Sequence, residues 1–144
     1  MHRPYEGFTA LLFRAARAVA RRYKANLSDL GLTPQQAALL LTLCDEPGLT
    51  MGDVARLAHA DLPTIFGIAE RLETMGYLRR SAHEEDRRKV RLQLTSAGQA
   101  LEPAIAERRV RTLAELEAAL GVDQTRQLHE LLLRLCARLG DDEA

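Results

Sequence analysis

The stretch HEEDRRKVR, residues 83–91, sets Arg87, Arg88, Lys89 and Arg91 directly behind Glu84, Glu85 and Asp86. Counted from Arg79, residues 79–91 hold six Lys/Arg and three Asp/Glu, a balance of +3 in one short segment. Closely set guanidinium and ammonium groups neutralise phosphates. An Arg carried on a projecting turn also suits a narrow DNA minor groove, where negative potential is concentrated. The whole chain, with 20 Lys/Arg and 20 Asp/Glu among 144 residues, is formally neutral. Its charge is unevenly spread: residues 1–44 hold six basic and two acidic side chains, residues 101–144 six and nine. A neutral total with one basic patch is compatible with DNA contact through a single face. A charge run taken alone is usually a solvated turn, so the elements around it decide.

Other chemistries find little support. The four histidines, His2, His59, His83 and His129, have no clustered ligand spacing, which argues against a metal site. Cys44 and Cys136 are far apart, imply neither disulfide framework nor zinc, and are read as small core residues of apolar helices. No Ser/His/Asp arrangement, Gly-rich phosphate loop or paired-carboxylate motif is visible, so no enzyme and no cofactor are expected. No apolar run reaches the length of a membrane span. The N-terminal apolar stretch is broken by Arg14, Arg17 and Arg21, which reads as an amphipathic helix rather than a leader and places the chain in the cytoplasm.

The elements that must carry the basic patch follow from periodicity. Phe8, Leu12, Ala15, Val19, Tyr23, Leu27 and Leu30 recur at helical spacing, predicting one amphipathic helix from about Tyr5 to Leu30, closed by Gly31. Thr33, Pro34 and Gln36 predict a capping box opening a second helix that buries Leu39, Leu40 and Leu43. Thr50 and Asp53 open a short third helix with Val54, Leu57 and Ala58 inward, followed by a turn near His59 and Ala60. Asp61 caps a fourth helix whose buried stripe is Ile65, Ile68, Ala69, Leu72 and Met75 and whose Phe66 points outward. The period then falls to two in YLRRSA and KVRLQLT, predicting a hairpin that buries Val90, Leu92 and Leu94. Helix returns after Thr95, is interrupted near Pro103, and ends in a last helix capped by Asp123 with a stripe of Leu128, Leu131, Leu132, Leu135 and Leu139. The acidic tail DDEA is expected to fray.

Helix, short helix, helix, hairpin over residues 33–95 is the order of a winged helix-turn-helix, in which the last helix enters the major groove. The fold class is therefore mainly α (α+β). The chain is a single domain over 1–144, with dimerisation helices at 5–30 and 96–140 flanking the DNA-binding lobe. Their Leu stripes are too long for so small a lobe to cover, which favours a homodimer. The helix that should enter the groove, ADLPTIFGIAERLE, carries no Lys or Arg in its first two turns.

LTPQQAALLLTL, RLETMGYLRR and above all EEDRRKVRLQLTSAGQAL resemble the MarR (multiple-antibiotic-resistance regulator) family, with Asp86-x-Arg88, then Leu92-x-Leu94-Thr95 and Gly98 as the most specific pattern. The resemblance runs over essentially the whole chain. It implies a homodimer whose first and last helices intertwine on pseudo-palindromic double-stranded DNA. It also implies a ligand-responsive regulator, usually a repressor, with a small aromatic or phenolic effector. It makes Arg88, flanked by Arg87 and Lys89, the minor-groove wing residue, with Asp86 orienting it. It assigns Arg80 to phosphate, Arg71 to DNA, and places Gln36 where a helix N-terminus can meet phosphate. Family pockets imply Tyr5, Phe8, Leu12 and Leu43 for the effector. Where many members have Thr or Ser followed by a base-reading Arg, this chain has Phe66 and Gly67, leaving Thr64 and Phe66 to touch thymine methyls or base edges. The competing class is a winged-helix protein-interaction module with little sequence-specific DNA reading.

Overall fold

The computed structural model of the protein describes residues 7–140. Tyr5, His2 and the 141–144 tail lie outside the described residues. Helix α1 (Phe8–Asn26) is followed by a 3-10 turn (Ser28–Leu30), α2 (Pro34–Asp45), α3 (Met51–Leu57), α4 (Leu62–Thr74), β1 (Leu78–Ala82), β2 (Val90–Leu94), α5 (Ser96–Gln99), α6 (Glu102–Leu120) and α7 (Val122–Gly140). The chain forms two compact units, residues 1–108 and 109–144, with the division inside α6.

Local chemistry explains most boundaries of the first unit. At α2, Thr33 Oγ1 accepts from Gln36 N–H at 3.2 Å while Gln36 Oε1 accepts from Thr33 N–H at 3.0 Å. At α3, Thr50 and Asp53 do the same at 3.2 and 2.9 Å. The Thr50 backbone N–H, then its hydroxyl, hold the Asp53 carboxyl below the usual carboxylate range. The first helix stops at Asn26 rather than running to Leu30. Leu27 is fully buried, and a tighter 3-10 turn then carries the chain to Gly31, which sits at φ 67°. Tightening this turn lets Leu27 and Leu30 reach the core while the helix ahead of them stays on the surface.

The core of this unit is built on Leu27 at the end of α1, Leu40 of α2, Leu72 of α4, Leu78 and Leu92 of the hairpin and Ile105 of α6. Burying each such side chain is worth about 1.5–3 kcal/mol. Strands β1 and β2 pair antiparallel with Leu78 opposite Leu94 and Arg80 opposite Leu92. The hairpin is also stitched to the loop before α3: Leu92 N–H donates to Leu49 O at 3.0 Å, and Thr50 bridges Arg91.

Several inward assignments are corrected by the fold. Leu57, at the end of a helix of only 7 residues, is 49% exposed, and Ala58 beyond it is exposed too. Met75 has passed the end of α4 and is 39% exposed. In the second unit Asp123 lies within the first turn of α7 rather than at its cap. Gly121, at φ 91°, is the single residue linking α6 to α7, and its carbonyl takes the Thr125 N–H at 3.0 Å, so the turn leaves no place for a capping Asp. Cys136 is exposed on α7 rather than a core residue.

One junction fixes the hairpin to the helices on either side. Thr95 Oγ1 donates to Gly76 O at 2.6 Å and accepts from Gly98 N–H at 3.1 Å, while Thr95 N–H donates to Tyr77 O at 3.1 Å. Gly98 packs so tightly that a Cβ there would lie 2.1 Å from Tyr77 O. Because the obstacle is backbone, Gly98→Ala is expected to lower unfolding free energy by about 2–3 kcal/mol, as forced overpacking does. Urea denaturation checks this; a change under about 0.5 kcal/mol, ordinary for an exposed site, would refute it.

Candidate nucleic-acid interface

The exposed surface of α4 begins with its cap. Asp61 Oδ1 accepts from Thr64 N–H at 2.7 Å, and Pro63 sits in the first turn, where no intrahelical N–H is needed. The Thr64 hydrogen bonds hold the Asp61 carboxyl below its usual range. Ile65, Ala69 and Leu72 turn into the core. That rotation leaves Leu62, Thr64, Phe66 and Arg71 on the outside, with Phe66 46% exposed. A Cβ at Gly67 would meet nothing within 4 Å, so the helix is bare beside Phe66.

Beyond α4 the hairpin carries the basic tip. His83 N–H donates to Lys89 O and Lys89 N–H to Asp86 O, each at 3.0 Å, closing the turn. His83 Nδ1 accepts from Glu85 N–H at 3.2 Å and Asp86 N–H at 3.3 Å. Asp86 Oδ1 accepts from Arg88 N–H at 3.1 Å and from Arg88 Nε at 3.4 Å. The Arg88 side chain is 94% exposed, so this pair contributes little stability and chiefly aims the guanidinium outward. Arg87 and Lys89 are exposed beside it.

Arg80 is differently placed. Its Nε and Nη2 donate to Glu73 Oε1 at 3.2 and 2.8 Å, its backbone N–H donates to Glu73 Oε2 at 3.0 Å, and its guanidinium carbon lies 4.9 Å from the Phe66 ring centroid. The Arg80 side chain, then its backbone N–H, hold the Glu73 carboxyl below the usual range. Gln36 is largely buried and its side-chain oxygen is committed to the α2 cap, so only its amide nitrogen is left for a phosphate. Between α3, the start of α4 and the wing base lies a groove of about 740 Å³. Met51, Leu62, Pro63 and Phe66 give it an apolar floor, and Arg56, Arg88 and Lys89 give it cations.

Of the residues assigned to an effector pocket, Tyr5 lies outside the described residues and the other three are not brought together within the chain. Phe8 is exposed, Leu12 half-buried, and Leu43 is core, lining a separate cleft of about 400 Å³ with Pro47, Arg79 and Gln99 that neither Phe8 nor Leu12 enters. Burial, then Glu102 and Asp45, push the Cys44 thiol up, away from a reactive thiolate. Sequence reasoning missed Glu73 and His83. The spacing of seven between Glu73 and Arg80 crosses from helix to strand, and only the hairpin's docking makes them partners. His83 resembles any polar loop residue until its ring is seen to accept two backbone N–H groups.

A helix with an open outer face, braced by two shorter helices and followed by a hairpin with a basic tip, defines a winged helix-turn-helix DNA-binding protein. The MarR family model matches residues 30–89. The transcriptional regulator FarR of Neisseria gonorrhoeae is 31% identical over 130 residues, covering 90% of this chain and 88% of that protein. Among solved structures, BpsR of Bordetella bronchiseptica, whose DNA binding is regulated by 6-hydroxynicotinic acid, is similar with TM-score 0.84 and 26% identity over 94% of this chain and 96% of that one. Reduced AbfR bound to DNA is similar with TM-score 0.74 and 25% identity over 93% and 92%. The chain belongs to the MarR family of DNA-binding transcriptional regulators. Among the described residues no helix is long and apolar enough to cross a membrane.

The depressed Asp61 carboxyl links the cap of α4 to pH. Its folded value lies below the unfolded one, so its contribution is complete above the unfolded value of about 3.9 and is lost as pH falls through the lower folded value. Asp61→Asn keeps a capping oxygen but cannot titrate. The variant is expected to match the wild type near neutral pH and to lose less stability between about pH 5 and pH 2. Denaturant midpoints across that range check this; identical acid dependence would remove Asp61 as a source.

Proposed function

We propose that this protein is a cytoplasmic homodimeric repressor that binds pseudo-palindromic double-stranded DNA through α4 and the wing and is released by a small aromatic anion. The observation that carries the DNA contact is the wing tip, where Arg88 is almost fully exposed yet tethered by Asp86. A guanidinium held out from a hairpin and flanked by Arg87 and Lys89 suits a narrow minor groove. Arg71 and Thr64 line the same outer face of α4 for major-groove and phosphate contact.

Dimerisation is supported by the ends of the chain. Helix α1 exposes Phe8, Leu11, Phe13 and Val19, and helix α7 exposes Leu128, Leu131, Leu132, Leu133, Leu135 and Leu139. Apolar rows of this length are covered in a stable soluble protein, and a symmetric partner supplies matching rows. The dimerisation region then comprises α1 together with α6 and α7, around a lobe of residues 33–95.

The effector reading follows the groove beside the wing rather than Phe8, Leu12 and Leu43. An apolar floor with Phe66, bordered by Arg56, Arg88 and Lys89, suits an aromatic carboxylate, and its occupant would compete with DNA for the same cations.

Affinity for the chain's own upstream DNA is expected to fall steeply with salt and to exceed that for random duplex by about 10³-fold or more. Arg88→Ala should weaken that binding at least about tenfold with an unchanged melting temperature. Weak binding without sequence preference would instead favour a protein-interaction module. Titration with 6-hydroxynicotinic acid is expected to raise the melting temperature and release DNA together. No effect up to about 1 mM, the limit of even weak binding, would overturn this effector class.

A further inference from the structure

We propose that Arg80 reads guanine in the major groove, its guanidinium laid over α4 by the Phe66 ring and held there by Glu73, in place of the side chain that Gly67 lacks. The inference rests on α4 entering the groove and adds a specificity-determining residue supplied by the neighbouring strand.

Arg80 stands two residues beyond buried Leu78 on β1, so its side chain leaves the strand on the face that packs against α4. On α4, Phe66, Glu70 and Glu73 fall at i, i+4 and i+7 and form one stripe. The guanidinium crosses this stripe, with its carbon 4.9 Å from the Phe66 centroid and two donors on Glu73 Oε1. The cation–π contact holds the group over the ring, and the two bonds to the carboxylate limit its rotation. Phe66 also forms part of the groove that runs to Arg88 and Lys89 of the wing, so the platform lies on the face the wing flanks.

The pairing decides what such a group can read. Phosphate attraction depends on net charge, and Glu73 at 2.8 Å offsets that of Arg80, with Glu70 close enough to act on it as well. Directional donors survive neutralisation. Glu73 takes Nε–H and one Nη2 proton. Among the described residues the opposite edge, Nη1 and the remaining Nη2 proton, has no protein partner. Two parallel N–H donors on one edge match the O6 and N7 acceptors of guanine. Gly67 places no side chain beside the stack, which leaves room for a base pair to approach.

The test selects preferred duplexes from a randomised pool with the wild-type dimer, then measures binding to every single-base variant of the selected site. Wild type is expected to favour guanine at one position of each half-site by about tenfold or more. Arg80→Lys keeps the charge and loses the bidentate edge. Phe66→Leu keeps apolar bulk and the Glu73 pair but removes the ring. Both should erase the preference at that position alone, leaving preferences elsewhere and the salt slope intact, with circular dichroism and melting unchanged for Phe66→Leu. Retention of the guanine preference in both variants would overturn the proposal. So would a uniform loss over all sequences in Arg80→Lys, the signature of a phosphate contact. If wild type selects no sequence at all, the regulator reading fails first, which separates the two failures.

Discussion

The hydroxyl of Thr95 is the hinge pin of the DNA-binding lobe. It donates to the carbonyl that ends α4 and accepts from the first turn of α5, so the helix before the hairpin and the helix after it are bonded to one oxygen. The Tyr77 carbonyl that receives Thr95 N–H also leaves no room for a side chain at Gly98. The direction in which the wing leaves α4 is therefore set by backbone contact, which cannot relax as a long side chain can. Every outward-facing group of the wing inherits its position from this junction.

Within that frame, charge is distributed by pairing rather than by count. Asp86 engages Arg88 through weakly held bonds and leaves the guanidinium in water. Glu73 engages Arg80 through two side-chain bonds and one backbone bond and holds it against the helix. Two arginines eight positions apart thus differ in kind. One acts as a positive charge at the end of a projection, the other as a nearly neutral, oriented set of donors. A chain with no net charge can still face a polyanion through cations, such as Arg88, that stay exposed on one face.

Much of this was legible in the sequence, for reasons that differ by residue. Thr33, Pro34 and Gln36 reveal the start of α2 because a capping box is made by neighbours in sequence. The alternation of Val90, Leu92 and Leu94 reveals β2 because a strand has only two faces. Asp61 and the outward turn of Phe66 follow from the same local rules. The failures share a cause: they depend on what another element brings. Leu57 and Met75 lie at helix ends, where the periodic stripe continues but the packing surface has stopped. The Glu73–Arg80–Phe66 cluster joins a helix to a strand across a turn, and no spacing rule announces it.

Gly67 has a consequence in the currency of entropy. A glycine inside a helix sacrifices about 1 kcal/mol relative to alanine, and here open space shows that packing does not demand it. That cost is borne by a stretch of α4 that Ile65, Ala69 and Leu72 tie to the core from the other face. The stack of Arg80 on Phe66 is the side-chain contact that lies next to this residue. The outer face of α4 beside Gly67 is accordingly held by the hydrogen bonds of the helix and by the core residues on its other side, without side-chain cover of its own.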